Sequence, residues 1–169
     1  MGDRFDLICT WLLNIEDAGL TGCVKNLGDG AGLTRFGITS EFDSTAIPSD
    51  YFTKPAADAL VDAENVYHAH YWSVIRGDEI EPDDVAASLF AFAVNIGTQH
   101  AIEVVQSALN LDPDGKVGPI TLIGLASPGA GDKIRAAMAA HYRAHDQGQF
   151  LNGLLKRAAL VYPSLEGFV

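Results

Sequence analysis

The chain has 169 residues, 48% of them apolar and 20% charged, with 22 acidic and 11 basic side chains and a net charge of −11. That length fits one domain or two small lobes sharing a core, and the apolar fraction supports a packed interior rather than disorder. A field of that sign repels phosphate backbones and anionic membranes, because binding to either depends on Lys and Arg, so a nucleic-acid partner is excluded.

In chain order, Phe5, Ile8, Leu12 and Ile15 recur at helical spacing with Trp11 beside them, which predicts a first helix with one apolar face. Gly19 supplies its stop. From Gly19 to Gly37 the glycine density predicts turns and short strands, with strand pieces at Val24 and at Phe36-Gly37-Ile38. Thr39 to Lys54 reads as irregular, with a short helix from Ser40. Thr53-Lys54-Pro55 predicts the start of a second long helix, capped by Thr53 and running through Tyr67, His68, Tyr71, Trp72 and Ile75 to Gly77.

After an acidic linker, Val85 to Ile96 is nearly all apolar and predicts a buried central helix. Thr98 is placed to cap a helix from Gln99 to Leu109. Asp112-Pro113-Asp114-Gly115 predicts a turn. Further helices follow from Pro119 to Leu125, Lys133 to His145 and Phe150 to Val161. The expected class is mainly α (α+β), with one small Gly-rich β-hairpin near the N-terminus.

No apolar run approaches the ~20 residues that span a bilayer, and the first residues carry no secretory pattern. The chain is therefore expected to be made in the cytoplasm without membrane insertion. Cys9 sits in the apolar helical pattern and reads as a buried small hydrophobe. A Cys9–Cys23 bridge is disfavoured by the reducing compartment that this reading implies.

The chemistry-bearing residues concentrate near the N-terminus. Glu16 falls at the C-terminal end of an apolar helix, where the helix dipole opposes a carboxylate, a setting suited to a proton donor. Asp29 and Thr34 follow on the Gly-rich turn and strand. Glycosidic cleavage uses a proton donor on one side of the bond and, on the other, a carboxylate that activates water or stabilises positive charge. Glu16 and Asp29 supply that pair, and Thr34 is placed to hold the attacking water. Read without function, Glu16 is a solvated helix end, Asp29 a turn residue and Thr34 an ordinary strand residue. His68, His70, His141 and His145 lack a metal-ligand pattern and read as packed or solvated histidines, and Asp112-x-Asp114-Gly115 lacks the later ligands of a calcium loop. No metal or cofactor is expected.

The segments Glu16-Asp17-Ala18-Gly19 and Asp29 to Thr39 resemble the N-terminal signature of glycoside hydrolase family 108, the lysozyme-like N-acetylmuramidases of phage endolysins and toxin-secretion loci. Its Asp-x-Gly-Gly-x-Thr-x-aromatic-Gly-Ile-Thr pattern is in register at Asp29, Gly32, Thr34, Phe36, Gly37, Ile38 and Thr39. Tyr71-Trp72, Phe90 to Gly97, and Ala101 to Leu109 followed by Asp114 to Thr121 continue the likeness, the last two stretches resembling the family's peptidoglycan-binding half. This sequence departs by carrying Asp17-Ala18 in place of Gly-Gly after Glu16, a longer spacer to Asp29, and no Trp in the closing Gly153 to Arg157 segment.

The resemblance implies a lysozyme-like fold, with a catalytic lobe over 1–80 and a helical peptidoglycan-binding lobe over 81–169. It implies a peptidoglycan hydrolase cleaving the β-1,4 bond between N-acetylmuramic acid and N-acetylglucosamine, acting as a monomer on glycan strands in the cell wall. With no leader, a holin pore or another exporter would carry it there. Glu16, Asp29 and Thr34 take the catalytic roles, and Phe36, Tyr71, Asn95, Asp114 and Thr121 contact substrate. A muramidase serving secretion and a non-catalytic wall-binding protein are the alternatives. Peptidoglycan is itself anionic, so either the groove is less acidic than the whole, through Lys25, Arg35, Lys116 and Arg143, or binding rests on hydrogen bonds and ring stacking, and wall binding is expected to depend weakly on salt.

Overall fold

The computed structural model describes residues 4–26, 32–41, 46–145, 148 and 150–163. The chain divides into two compact units, Met1–His70 and Tyr71–Val169.

In the first unit, helix α1 (Arg4–Glu16) buries Phe5, Ile8, Cys9, Leu12 and Leu13. The apolar face is rotated slightly from the one predicted. Cys9 and Leu13 complete it, and Ile15 is only half-buried. A three-stranded antiparallel sheet follows, β1 (Lys25–Asn26), β2 (Leu33–Arg35) and β3 (Ile38–Thr39), in the order β1-β2-β3. Phe36 and Gly37 are not strand, as the sequence suggested, but the two-residue turn between β2 and β3, closed by the Arg35–Ile38 pair. Both have positive φ, +49° and +78°, the requirement of the turn type whose twist matches that of the flanking strands. Nor does Ser40 start a helix. Its backbone N–H donates to the Leu33 carbonyl at 2.8 Å and its Oγ accepts from the Leu33 N–H at 3.0 Å, so it prolongs the hairpin.

Helix α2 (Ala56–Tyr67) buries Ala59, Ala63, Val66 and Tyr67 and packs on α1. Its N-cap position is Pro55, without a side-chain cap, because Thr53 Oγ1 turns back to donate to the Asp50 carbonyl at 3.0 Å. The long helix expected to reach Ile75 stops at Tyr67 and passes into a π-helical turn, His68–Trp72. In the second unit Trp72 is fully buried, donates its Nε1 proton to Asp78 at 2.9 Å and meets Phe90 edge-on at 5.5 Å.

The second unit is built around helix α3 (Asp83–Ile96), in which every residue from Val85 to Ala93 is buried, as its unbroken apolar character predicts. Helices α4 (Thr98–Ala108) and α6 (Ala130–His145) pack on it, and α5 (Pro119–Leu125) and α7 (Leu151–Ala158) pack on α6. Gly97, not Thr98, occupies the N-cap position of α4. Among the described residues no helix is long and apolar enough to cross a membrane.

Both cysteines are free, Cys9 buried and Cys23 exposed. Burial, with smaller contributions from Glu64 and Asp6, pushes the Cys9 thiol up to about 12. At pH 8 a maleimide should therefore add once to the native protein, at Cys23, and a second time only in denaturant; mass spectrometry of the peptides reads both steps.

His141 stacks on His145 at 4.2 Å and lies edge-on to His100 at 5.1 Å and to Phe92 at 5.6 Å. Desolvation first, then His145 and His100, hold its pKa below the ordinary 6.5. The folded state thus binds fewer protons there than the unfolded chain, and stability falls as pH drops through and below 6.5. The expected outcome is a lower unfolding midpoint at pH 5.5 than at pH 8, with His141→Gln flattening the difference.

Candidate active site

A cavity of about 330 Å³ in the first unit is lined by Glu16, Asp17, Cys23, Lys25, Thr34, Arg35, Phe36, Gly37 and Thr39. Two residues predicted as catalytic, Glu16 and Thr34, meet there, and Phe36 borders it. Asp29, the third, lies outside the described residues.

Glu16 ends α1, half-buried, with its Oε1 atom shielded from solvent. The β2–β3 turn presses on it. A Cβ at Gly37 would lie 2.6 Å from the Tyr67 hydroxyl and 2.9 Å from Glu16 Cγ, so only glycine lets the turn approach this closely. The turn is tied from beneath by two buried tyrosines. Tyr67 donates to the Phe36 carbonyl at 2.9 Å and Tyr51 to the Arg35 carbonyl at 3.0 Å. Burial and the nearby Asp62 push the Tyr51 phenol well above its ordinary value, against the pull of Arg35, so it stays a donor.

Arg35 and Asp17, charged residues on the cavity wall, are each only 5% exposed and are engaged internally. The Arg35 guanidinium donates to the carbonyls of Gly22 at 2.8 Å, Tyr51 at 2.7 Å and Lys54 at 2.9 Å. Asp17, which stands where the family signature has Gly, accepts from the Gly22 N–H at 2.6 Å and from the Thr21 hydroxyl at 2.8 Å. Gly22 is thus held at both ends, with positive φ and no room for a Cβ between Phe36 and Ala56. Nothing in the local pattern marks Asp17 and Arg35 as builders of the loop; a carboxylate five residues before a buried glycine becomes informative only once the chain is folded.

The strand register sets the open side of the cavity. Thr34 pairs with Lys25 on one side and with Thr39 on the other. Directly opposed residues in antiparallel strands share a face, so Lys25, Thr34 and Thr39 form one row, and all three line the cavity. Arg35 and Ile38 occupy the other face and are buried. Thr39 closes the signature and Lys25 is among the cations expected at the groove; the strand register is what places both beside Thr34.

The remaining predicted contacts lie in the second unit. Tyr71 falls in the π-helical turn and Asn95 on α3, both half-buried. Asp114 and Thr121 belong to a polar clamp around Gln106, itself 1% exposed. Gln106 Nε2 donates to Asp114 Oδ1 at 2.7 Å, the Lys116 carbonyl at 2.9 Å and Thr121 Oγ1 at 3.1 Å, and its Oε1 accepts from the Gly115 N–H at 2.9 Å. The hydrogen bond from Gln106, with the Lys116 N–H, lowers the Asp114 pKa. These groups shape the 112–121 loop, and Phe36, at 2% exposure, offers no ring face to a sugar. Among the described residues no group of three His, Cys, Asp or Glu side chains is arranged to hold a metal ion.

The sequence profile described as "Glycosyl hydrolase 108" matches residues 11–97, a span that contains the cavity. The fold is similar to that of Brucella abortus SagA, with a TM-score of 0.74 and 21% sequence identity over 91% of this chain and 88% of that one. At that identity the likeness speaks for the fold, which is mainly α and lysozyme-like, as the sequence predicts. No curated protein sequence matches.

The turn makes the site sensitive to small changes. Tyr67→Phe leaves the Phe36 carbonyl buried without its donor and should cost about 1–3 kcal/mol. Gly37→Ala adds a crowded Cβ at positive φ and should cost at least about 1 kcal/mol. Chemical denaturation checks both, and a Leu33→Thr control on the exposed sheet surface should move the midpoint little.

Proposed function

The chain belongs to glycosyl hydrolase family 108, and from that membership we propose that it is a peptidoglycan hydrolase of the N-acetylmuramidase type. In this reading it cleaves the β-1,4 bond between N-acetylmuramic acid and N-acetylglucosamine. The observation that carries the reading is the meeting of Glu16 and the Lys25–Thr34–Thr39 row in one cavity. A helix-end carboxyl set against a hydroxyl-bearing sheet is the arrangement that protonation of a glycosidic oxygen and delivery of water require.

Glu16 is the general acid. Its Cβ and Cγ lie under Gly37, so the helix end and the turn together fix where the carboxyl reaches. Protonation of the leaving oxygen lets the glycosidic bond break with positive charge growing on the sugar ring. Asp29 is assigned to that charge or to activating the water, and Thr34 to orienting the water by a hydrogen bond. Asp17 takes no part, since its carboxylate is engaged by Thr21 and Gly22. The 112–121 loop, with Ile120 and Ile123 of α5 more than 70% exposed beside it, is assigned to holding the wall polymer.

As an enzyme of the wall it acts as a monomer on glycan strands, after export through a holin pore or another route. A neighbouring holin gene would mark host lysis by a phage, and a toxin-secretion locus would mark a secretory role.

Glu16→Gln should lower reducing-end release from purified peptidoglycan by at least about a hundredfold while leaving the unfolding free energy within about 1 kcal/mol of the parent. Thr34→Val should reduce it less, since loss of one hydrogen bond to water is worth about tenfold. Wall binding without reducing-end release by the parent protein would instead favour a non-catalytic binder, and mass spectrometry of the released fragments identifies the bond cut.

A further inference from the structure

Four ionisable side chains line the cavity of the first unit: Glu16, Asp17, Lys25 and Arg35 among the described residues that carry a formal charge near neutral pH. Two of them are spent on the fold. Arg35 is buried and gives its guanidinium protons to three carbonyls, and Asp17 is buried and receives Thr21 and Gly22. Glu16 is the acid of the proposed reaction. Lys25 is left. It is exposed, sits on β1 opposite Thr34, and makes no ion pair or side-chain hydrogen bond with any described residue.

The chain carries 22 acidic side chains against 11 basic ones, so an ammonium near a carboxyl has many competing partners on the surface. Three cations are taken up in this way: Lys54 by Asp50 and Asp62, Arg76 by Glu79, and Arg135 by Asp84 and Asp132. Lys25 instead stands at the edge of a cavity, in line with two hydroxyls on the same face of the sheet. A row of one ammonium and two hydroxyls is a donor set for an anion bearing neighbouring hydroxyl or ether oxygens.

We propose that Lys25, with Thr34 and Thr39, binds the lactyl carboxylate of N-acetylmuramic acid, and so makes the cavity select acid-bearing sugar strands over neutral ones. The inference rests on the muramidase reading, in which the sugar whose bond is cut carries that carboxylate. The carboxylate then lies within one sugar ring of Glu16, and Thr34, between Lys25 and Thr39 in the row, gives its one hydroxyl proton to the carboxylate while its oxygen accepts from the water assigned to it. Lys25 acts in recognition, not in bond breaking. A single recognising charge also explains how a protein of net charge −11 can take an anionic polymer. The attraction is confined to one short contact at the site, where salt screens it less than it screens the repulsion from the distant acidic surface.

The test is a binding comparison that does not depend on turnover. In the Glu16→Gln protein, calorimetric titration with a peptide-free tetrasaccharide of alternating N-acetylglucosamine and N-acetylmuramic acid is compared with the neutral N-acetylglucosamine tetramer. The acidic ligand should bind about tenfold more tightly. Lys25→Met in the same background should bring the two ligands within about twofold of each other by weakening only the acidic one, and Lys25→Arg should keep most of the preference. A preference that survives Lys25→Met overturns the inference, as does a Glu16→Gln protein that binds both ligands alike or neither. Failure of the muramidase reading would show separately, as absence of reducing-end release by the parent protein, and leaves this comparison of affinities standing on its own result.

Discussion

The geometry of the site depends on one tight turn. Phe36 and Gly37 both take positive φ, a conformation that costs a phenylalanine free energy wherever it occurs. The surrounding fold offsets that cost. The Tyr67 hydroxyl from α2 holds the Phe36 carbonyl, the Tyr51 hydroxyl holds the carbonyl before it, and the Phe36 ring is buried. With the turn fixed, Gly37 can lie against Glu16 and Tyr67 where no other residue would fit. The end of α1, the hairpin and α2 are therefore positioned by the same few contacts.

Charge is distributed in the cavity by a division of labour. Buried ions must be neutralised by partners, and Arg35 and Asp17 find theirs in backbone groups of the loops around Gly22 and Lys54. Their role is to hold the main chain in place around the site. The ionisable groups left facing the cavity are few, and this lets a strongly acidic protein present a small local field of mixed sign. The same economy recurs in the second unit. There the buried amide of Gln106 joins Asp114, Gly115, Lys116 and Thr121, and the polar groups of that loop are used to shape it.

Much of this was legible from local pattern. The apolar faces of α1 and α2, the all-round burial of α3 and the Gly-rich excursion follow from spacing and composition, because burial imposes a period on any element that packs. Glu16 and Thr34 were also legible, one from its place at a helix end and one from the string ending in Phe36-Gly37-Ile38-Thr39. Other features were not. Thr53 and Thr98 have the composition of caps, yet their positions are set by Pro55 and Gly97. The helix predicted to reach Ile75 yields to a π-helical turn at His68, which the apolar periodicity does not mark. Phe36, which the family resemblance implies as a substrate contact, has its ring buried in the core.

The sequence by itself determined the class of the fold, the family to which residues 11–97 belong, and the placing of a glutamate at the end of α1, since each depends on residues close together along the chain or on their period. Tertiary structure decided which charges remain available. Whether Asp17, Arg35 and Lys25 face a ligand or a carbonyl depends on groups up to 19 residues away, as in the Arg35–Lys54 contact, and on strand register. A shift of one residue in that register would turn Lys25 and Thr34 to opposite faces of the sheet. The net charge of −11 is a property of the whole chain. The row of Lys25, Thr34 and Thr39 that lines the cavity belongs to three side chains separated in sequence, and only the folded sheet brings them together.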